Sequence, residues 1–127
     1  MLSKLGVIGA GAMGSGIAQL AAVSGTDVIL ADVNQEALDK AKSRLSEQLG
    51  KLLEKGKIDA SQLNAIFGRI SFVSELSAFS DREMVIEAIV EDLDVKTKIF
   101  QQLEVICGEN TVLASNTSLS ATGSDLR

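Results

Sequence analysis

Apolar residues along this chain follow two alternating rhythms. Short continuous runs such as Leu5-Gly6-Val7-Ile8, Val28-Ile29-Leu30-Ala31, Val85-Ile86-Glu87-Ala88-Ile89-Val90 and Thr111-Val112-Leu113-Ala114 alternate with longer stretches whose apolar positions recur every third or fourth residue. The runs predict strands at about residues 4–9, 27–32, 70–73, 84–89 and 111–115. They are too short and too apolar for surface helices and fit central strands covered on both faces. Strands that alternate with helices predict parallel β-α-β units and a doubly wound sheet.

The helical stretches carry their own punctuation. A first helix over about residues 12–24 is rich in small residues, Gly16, Ala18, Ala21 and Ala22, which permit close approach to a sheet, and Ser24-Gly25-Thr26 ends it. From Asn34, a good N-cap, a longer helix carries Leu38, Ala41, Leu45, Leu49, Leu52 and Leu53 on one stripe and stops near Gly56. Its length predicts that it projects from the domain. Asp59-Ala60-Ser61-Gln62 reads as a capping pair opening a short helix through Leu63, Ile66 and Phe67. Another helix starts after Asp92 and packs Val95, Ile99, Leu103 and Ile106. Ser115-Asn116-Thr117-Ser118-Leu119-Ser120 opens one more, and no sequence remains for a sixth strand.

Chemistry enters at the first strand-to-helix junction, Gly9-Ala10-Gly11-Ala12-Met13-Gly14. Each glycine of G-x-G-x-x-G answers a different steric demand: Gly9 the tight turn, Gly11 the approach of backbone to a pyrophosphate, Gly14 the contact of helix with strand. Ala10, Ala12 and Met13 complete the loop, and amides at the helix N-terminus face the anion without a lysine. Asp32 closes the second strand eighteen positions after Gly14, where an acid receives the ribose hydroxyls. A carboxylate there repels the additional phosphate of NADP, and Val33, Asn34 and Gln35 supply no cation to hold it, so the expected cofactor is NAD. The fold class is therefore α/β, a Rossmann-type doubly wound parallel sheet truncated before the sixth strand, with residues 1–127 as one NAD-binding domain.

Composition narrows the rest. A chain of 127 residues with 46% hydrophobic content can bury a core. Its net charge of −5 argues against nucleic acid or an anionic membrane as partner. One cysteine, Cys107, excludes an internal disulfide and a multi-cysteine metal site, and its place in an amphipathic stretch suggests a core thiol. With no signal peptide and no apolar run of about 18 residues, the expected location is the cytoplasm. There is no histidine, although alcohol oxidation near neutral pH usually uses an imidazole to take the hydroxyl proton.

The glycine loop, Val28-Ile29-Leu30-Ala31-Asp32, Val85-Ile86-Glu87-Ala88-Ile89-Val90-Glu91 and Ala114-Ser115-Asn116-Thr117-Ser118 together resemble the N-terminal NAD-binding domain of 3-hydroxyacyl-CoA dehydrogenases over nearly the whole chain. The resemblance implies oxidation of the C3 alcohol of an acyl-CoA, with hydride passing to NAD and the proton to a histidine held by a glutamate, both beyond Arg127. It implies that Ser118 hydrogen-bonds the C3 oxygen, although Ser118 also suits a helix cap. It implies cofactor contacts for Glu91 and Lys96; for Lys96 alone a solvated helix face is the default. Asn116 either orients the nicotinamide ribose or shapes its own turn. Lys55 matches a position that contacts CoA, and with Lys51 and Lys57 forms a basic patch that the helix dipole alone would also explain. In that family homodimers form mainly through the C-terminal region. Two other readings remain: a β-hydroxyacid or nucleotide-sugar dehydrogenase domain sharing the Gly9 to Asp32 unit, and a non-catalytic NAD-binding module. Few aromatics and no tyrosine or tryptophan predict an aliphatic adenine slot.

Overall fold

Alternation along the strands sorts the apolar residues onto two sides of a single sheet. In the computed structural model, which describes residues 3–89, 93–107 and 110–115, five parallel strands lie in the order β3-β2-β1-β4-β5. They are β1 (Lys4–Ile8), β2 (Asp27–Ala31), β3 (Ile70–Val73), β4 (Met84–Glu87) and β5 (Val112–Ser115), with helices α1 (Ala12–Val23), α2 (Gln35–Glu54), α3 (Ala60–Gly68) and α4 (Leu93–Ile106). All five expected strands and four expected helices form, with boundaries moved by a residue or two.

Leu5, Val7, Val28, Leu30 and Ile70 face α1, α2 and α3, and Ala18, Ala22, Leu38, Ala41, Leu45 and Leu49 complete that layer. Ile8, Ile29, Ala31, Val85 and Leu113 face the other way, onto Phe79, Leu103 and Cys107. Small residues on α1 let it lie against β2, as its sequence suggested. On the second side the missing Cβ of Gly6 makes room for the Phe79 ring, which a methyl there would meet at 3.2 Å. Phe79 belongs to a 3₁₀ turn, Leu76–Phe79, and is wholly buried.

Two expectations need correction. The long helix α2 spans about 30 Å, yet it does not stand out from the domain: α3 packs back on it, Leu49 is fully buried, and of its apolar stripe Leu53 in the last turn is the exposed member. Among the described residues the covering of β4 and β5 on both faces is also incomplete. Val85 and Leu113 are buried, whereas Met84 and Ile86 on the opposite face are half-buried and Val112 is 50% exposed.

Caps act as the sequence suggested. Asn34 Oδ1 accepts from the amides of Glu36 at 2.9 Å and Ala37 at 3.3 Å. Asp59 and Gln62 form a reciprocal capping box. At the amino edge of the sheet, the guanidinium of Arg82 is buried and ties β1 and β2 to the turn that leads into β4. It donates to Asp27 Oδ1 at 2.7 Å and to the carbonyl oxygens of Asp27 and Leu5, and it grips both carboxylate oxygens of Asp81 at 2.9 and 3.0 Å. Burial works against the charged guanidinium, but the hydrogen bonds it donates to these acids prevail and hold its pKa above the ordinary value. The same bonds, with help from Lys4, hold the Asp81 carboxyl down at about 2.

Candidate coenzyme site at the carboxyl edge of the sheet

The strand order reverses between β1 and β4, so the crevice beyond their carboxyl ends is where an open α/β sheet receives ligands. The glycine loop rises from β1 at this point. Gly9 has φ +105°, a left-handed conformation open to glycine, and an added Cβ would lie 2.9 Å from the Ala88 carbonyl oxygen. Its amide donates to the Ala31 carbonyl at 2.8 Å, which keeps the loop rooted between β1 and β2.

Gly14 and Gly11 are glycines for opposite reasons. A Cβ on Gly14 would stand 1.7 Å from the Gly9 carbonyl oxygen, so α1 can begin only with no side chain there. A Cβ on Gly11 would meet no protein atom within 4 Å, and its φ of −73° is open to any residue. Nothing in the protein requires glycine at 11; the space beside it lies outside the fold. Gly11 is also the N-cap of α1 and offers no side-chain oxygen, so the positive end of the helix opens onto that space with no acid in its first turn. These features fit an adenine dinucleotide: a backbone cradle kept clear at the one residue where a pyrophosphate must approach.

Asp32, just past β2, is half-buried and faces the loop. Its Oδ2 accepts from the Ala10 amide at 2.9 Å and its Oδ1 from the Asn34 amide at 2.9 Å. Each oxygen keeps a further lone pair for an outside donor such as a ribose hydroxyl. The other side of the Ala10 peptide is held too, because the Ser15 hydroxyl donates to the Ala10 carbonyl at 3.2 Å and Arg44 donates to that hydroxyl at 3.0 Å. This Ser15 and Arg44 support carries no motif and was invisible in the sequence.

Beside Asp32 lies a cleft of about 460 Å³. Val33, Leu76, Ile89 and Ile99 give it aliphatic walls, and no aromatic residue lines it among the described residues. Lys98 also reaches this cleft. This cation comes from α4, far in sequence from Val33, Asn34 and Gln35.

Lys96 corrects the default view of a solvated face. It is 6% exposed, and its ammonium lies 3.5 Å from Oε1 of Glu87, which is wholly buried at the end of β4. In the sequence Glu87 stands without a role of its own inside the Val85 to Glu91 segment that carries the resemblance; an acid within an apolar run was the available signal. Cys107 is the core thiol expected: it is buried, donates to the Phe79 carbonyl at 3.5 Å, and desolvation pushes its pKa up, which keeps it protonated and unreactive.

Lys55 is not brought to this crevice. It is the C-cap of α2, about 30 Å along that helix from Asn34. Lys51 pairs loosely with Glu47 at 3.8 Å, both exposed. Glu91, Asn116 and Ser118 lie outside the described residues. Among the described residues no helix is long and apolar enough to cross a membrane, and no cluster of His, Cys, Asp and Glu could hold a metal ion.

Comparison with known proteins agrees with this geometry. The family model described as "3-hydroxyacyl-CoA dehydrogenase, NAD binding domain" matches residues 4–123. The chain is 51% identical over 116 residues to a probable 3-hydroxybutyryl-CoA dehydrogenase of Deinococcus radiodurans, covering 91% of this chain and 41% of that one. It is 44% identical over 117 residues to a probable 3-hydroxybutyryl-CoA dehydrogenase of Bacillus subtilis, with 92% and 41% covered. The crystal structure of 3-hydroxybutyryl-CoA dehydrogenase from Escherichia coli superposes with a TM-score of 0.88 at 36% identity, over 93% of this chain and 25% of that one. The (S)-3-hydroxybutyryl-CoA dehydrogenase of Ralstonia eutropha gives 0.87 at 36% identity, over 93% and 42%. The chain thus spans about 41% of the length of the curated relatives it matches. It belongs to the NAD-binding domain family of the 3-hydroxyacyl-CoA dehydrogenases.

Proposed function

We propose that this chain is the coenzyme-binding part of an enzyme that transfers hydride between C3 of a 3-hydroxyacyl-CoA and NAD in the cytoplasm, working as a homodimer when joined to its catalytic region. NAD, when bound, supplies the hydride acceptor. Everything else asked of this chain is binding and orientation.

In this reading the loop from Gly9 through Ala10, Gly11, Ala12 and Met13 to Gly14 receives the pyrophosphate on backbone amides. Asp32 takes the adenosine ribose hydroxyls, and the aliphatic cleft beside it takes the adenine. Lys96, Glu91 and Asn116 serve the nicotinamide end. Ser118 hydrogen-bonds the C3 oxygen of the substrate, since a hydroxyl can donate to a carbonyl and accept from an alcohol. Lys55, with Lys51 and Lys57, meets the phosphates of CoA. The single observation that carries the reading is the start of α1 at the strand-order reversal, where Gly9 and Gly14 leave no room for a side chain and Asp32 holds the Ala10 amide.

Calorimetric titration of NAD and NADP against the wild type and Asp32→Ala tests it. NAD should bind more tightly than NADP, and Asp32→Ala should lose much of that preference; identical isotherms would remove Asp32 from its role. The chain has no histidine to accept the alcohol proton, so purified alone it should show no NAD-dependent oxidation of 3-hydroxybutyryl-CoA. Turnover free of contaminating enzyme would overturn that assignment of roles.

A further inference from the structure

Ser15 is a buried hydroxyl in the first turn of α1 with a guanidinium behind it. The hydroxyl donates to the Ala10 carbonyl at 3.2 Å, and Arg44, half-buried on α2, donates through Nη1 to the Ser15 oxygen at 3.0 Å. Among the described residues no carboxylate lies within ion-pair distance of Arg44; Ser15 is the partner the structure gives it.

A serine hydroxyl can turn. It has one proton, and within a helix the carbonyl one turn back competes for it. For Ser15 that carbonyl is Gly11, which already accepts the Ser15 amide at 2.9 Å. A guanidinium can only donate, so Arg44 occupies a lone pair of the Ser15 oxygen and leaves the proton to the Ala10 carbonyl. Its charge strengthens the bond that results.

The consequence falls on the next amide. The Ala10 carbonyl and the Gly11 N–H belong to one trans peptide and point in opposite directions. Drawing the carbonyl toward Ser15 therefore turns the Gly11 N–H away from it. Among the described residues nothing accepts that N–H, and a Cβ on Gly11 would meet no atom within 4 Å. The preceding peptide is held by Asp32, which accepts the Ala10 amide at 2.9 Å. Both peptides around Ala10 are thus fixed by side chains from outside the loop.

We infer that Ser15 is a positioning residue for the coenzyme's pyrophosphate, aiming the Gly11 amide into the open side of the loop, and that Arg44 acts through Ser15 by turning its hydroxyl. The inference rests on the NAD-binding reading above.

The test compares the wild type, Ser15→Ala, Arg44→Met and the double variant Ser15→Ala/Arg44→Met with two ligands. NADH, which carries the pyrophosphate, is followed by its own fluorescence against a chain with no Trp or Tyr. Adenosine, which has no phosphate, is followed by its displacement of NADH. Ser15→Ala should weaken NADH about fivefold, the worth of one hydrogen bond, and change adenosine less than about twofold. Arg44→Met should act in the same direction and by no more. The double variant should match Ser15→Ala within about twofold, because no hydroxyl is left for Arg44 to turn. Unchanged NADH affinity in Ser15→Ala, equal losses on both ligands, or a further loss in the double variant would each overturn the proposal, the last by showing that Arg44 draws the phosphates directly. A wild type that binds neither ligand would instead sink the coenzyme site itself. Alanine suits the helix that Ser15 occupies, so Ser15→Ala should fold. If circular dichroism shows it unfolded, Arg44→Met carries the comparison of NADH with adenosine, and the same outcomes decide it.

Discussion

Two alanine substitutions in the same loop should separate stability from affinity. At Gly14 the new methyl would lie 1.7 Å from the Gly9 carbonyl oxygen and 2.9 Å from its carbon. An ordinary contact is about 3.4 Å or more, so the start of α1 must withdraw from β1 by more than 1 Å. Overpacking a tight site costs about 1–3 kcal/mol and more where the obstacle is backbone. Alanine's better helix propensity returns only about 1 kcal/mol. A net loss of about 2–3 kcal/mol should lower the midpoint of thermal unfolding by roughly 8–12 °C for a chain of this size. At Gly11 the methyl meets no protein atom and the backbone suits alanine. Stability should therefore change by under about 1 kcal/mol, the difference between glycine and alanine at an N-cap. NADH affinity should nevertheless fall about tenfold, or 1.4 kcal/mol, because that methyl occupies the space kept for pyrophosphate. Unfolding followed by circular dichroism and NADH titration read the two effects. Equal stability losses in both variants, or a Gly11→Ala chain that binds NADH like the wild type, would show that the loop's spare volume has no ligand in view.

Other expectations follow from named contacts. Leu45→Ala, at a fully buried position of α2, should cost about 3–5 kcal/mol in denaturant unfolding. Arg82→Met should cost about 2–3 kcal/mol through lost charged hydrogen bonds to Asp27 and Asp81, yet leave NADH affinity unchanged because it acts at the opposite edge of the sheet. Asp81, held at about 2 chiefly by its hydrogen bonds to Arg82, should contribute its stability above its ordinary value of 3.8 and lose it as pH falls from there toward 2. Half-exposure limits that contribution to under about 1 kcal/mol, and Asp81→Asn should flatten this part of the acid-unfolding profile.

Much of this molecule was legible because local signals and tertiary demands coincide. A run such as Val28 to Ala31 can only be a covered strand, Asn34 and Asp59 announce their helices, and the glycine spacing fixes the turn before α1. What escaped the sequence came from contacts between distant segments. Phe79 and Gly6 meet across 73 residues of chain, and neither is unusual alone. Arg82 carries no motif, and its partners come from β1 and β2, which bring Leu5 and Asp27 around it. Lys96 taken alone reads as a solvated helix residue because its partner is on a strand, and Lys98 enters the cleft from α4, 66 residues beyond Asp32. The projecting α2 was misjudged for the same reason: its own stripe gave no sign that α3 would fold back to cover it.

Charge is divided between the two edges of the sheet, and the division has consequences for both stability and binding. At the amino edge Arg82, Asp27 and Asp81 satisfy one another, and Glu83 accepts from the Ser3 amide and hydroxyl at 2.8 Å each. At the carboxyl edge two acids instead hold loop backbone: Asp32 takes the amide of Ala10 just after β1, and Glu87 takes that of Ile89 just after β4. These are the two strands between which the order reverses, so each loop leaving the crevice is fixed by a carboxylate at its root. A substitution that neutralises an amino-edge charge changes how firmly the strands are joined but moves nothing near the crevice. One that removes the side-chain oxygens of Asp32 or Glu87 releases the loop amide that each one holds. Stability and coenzyme affinity should therefore vary independently between the two edges, and a variant set in which both properties fall together at either edge would contradict this division.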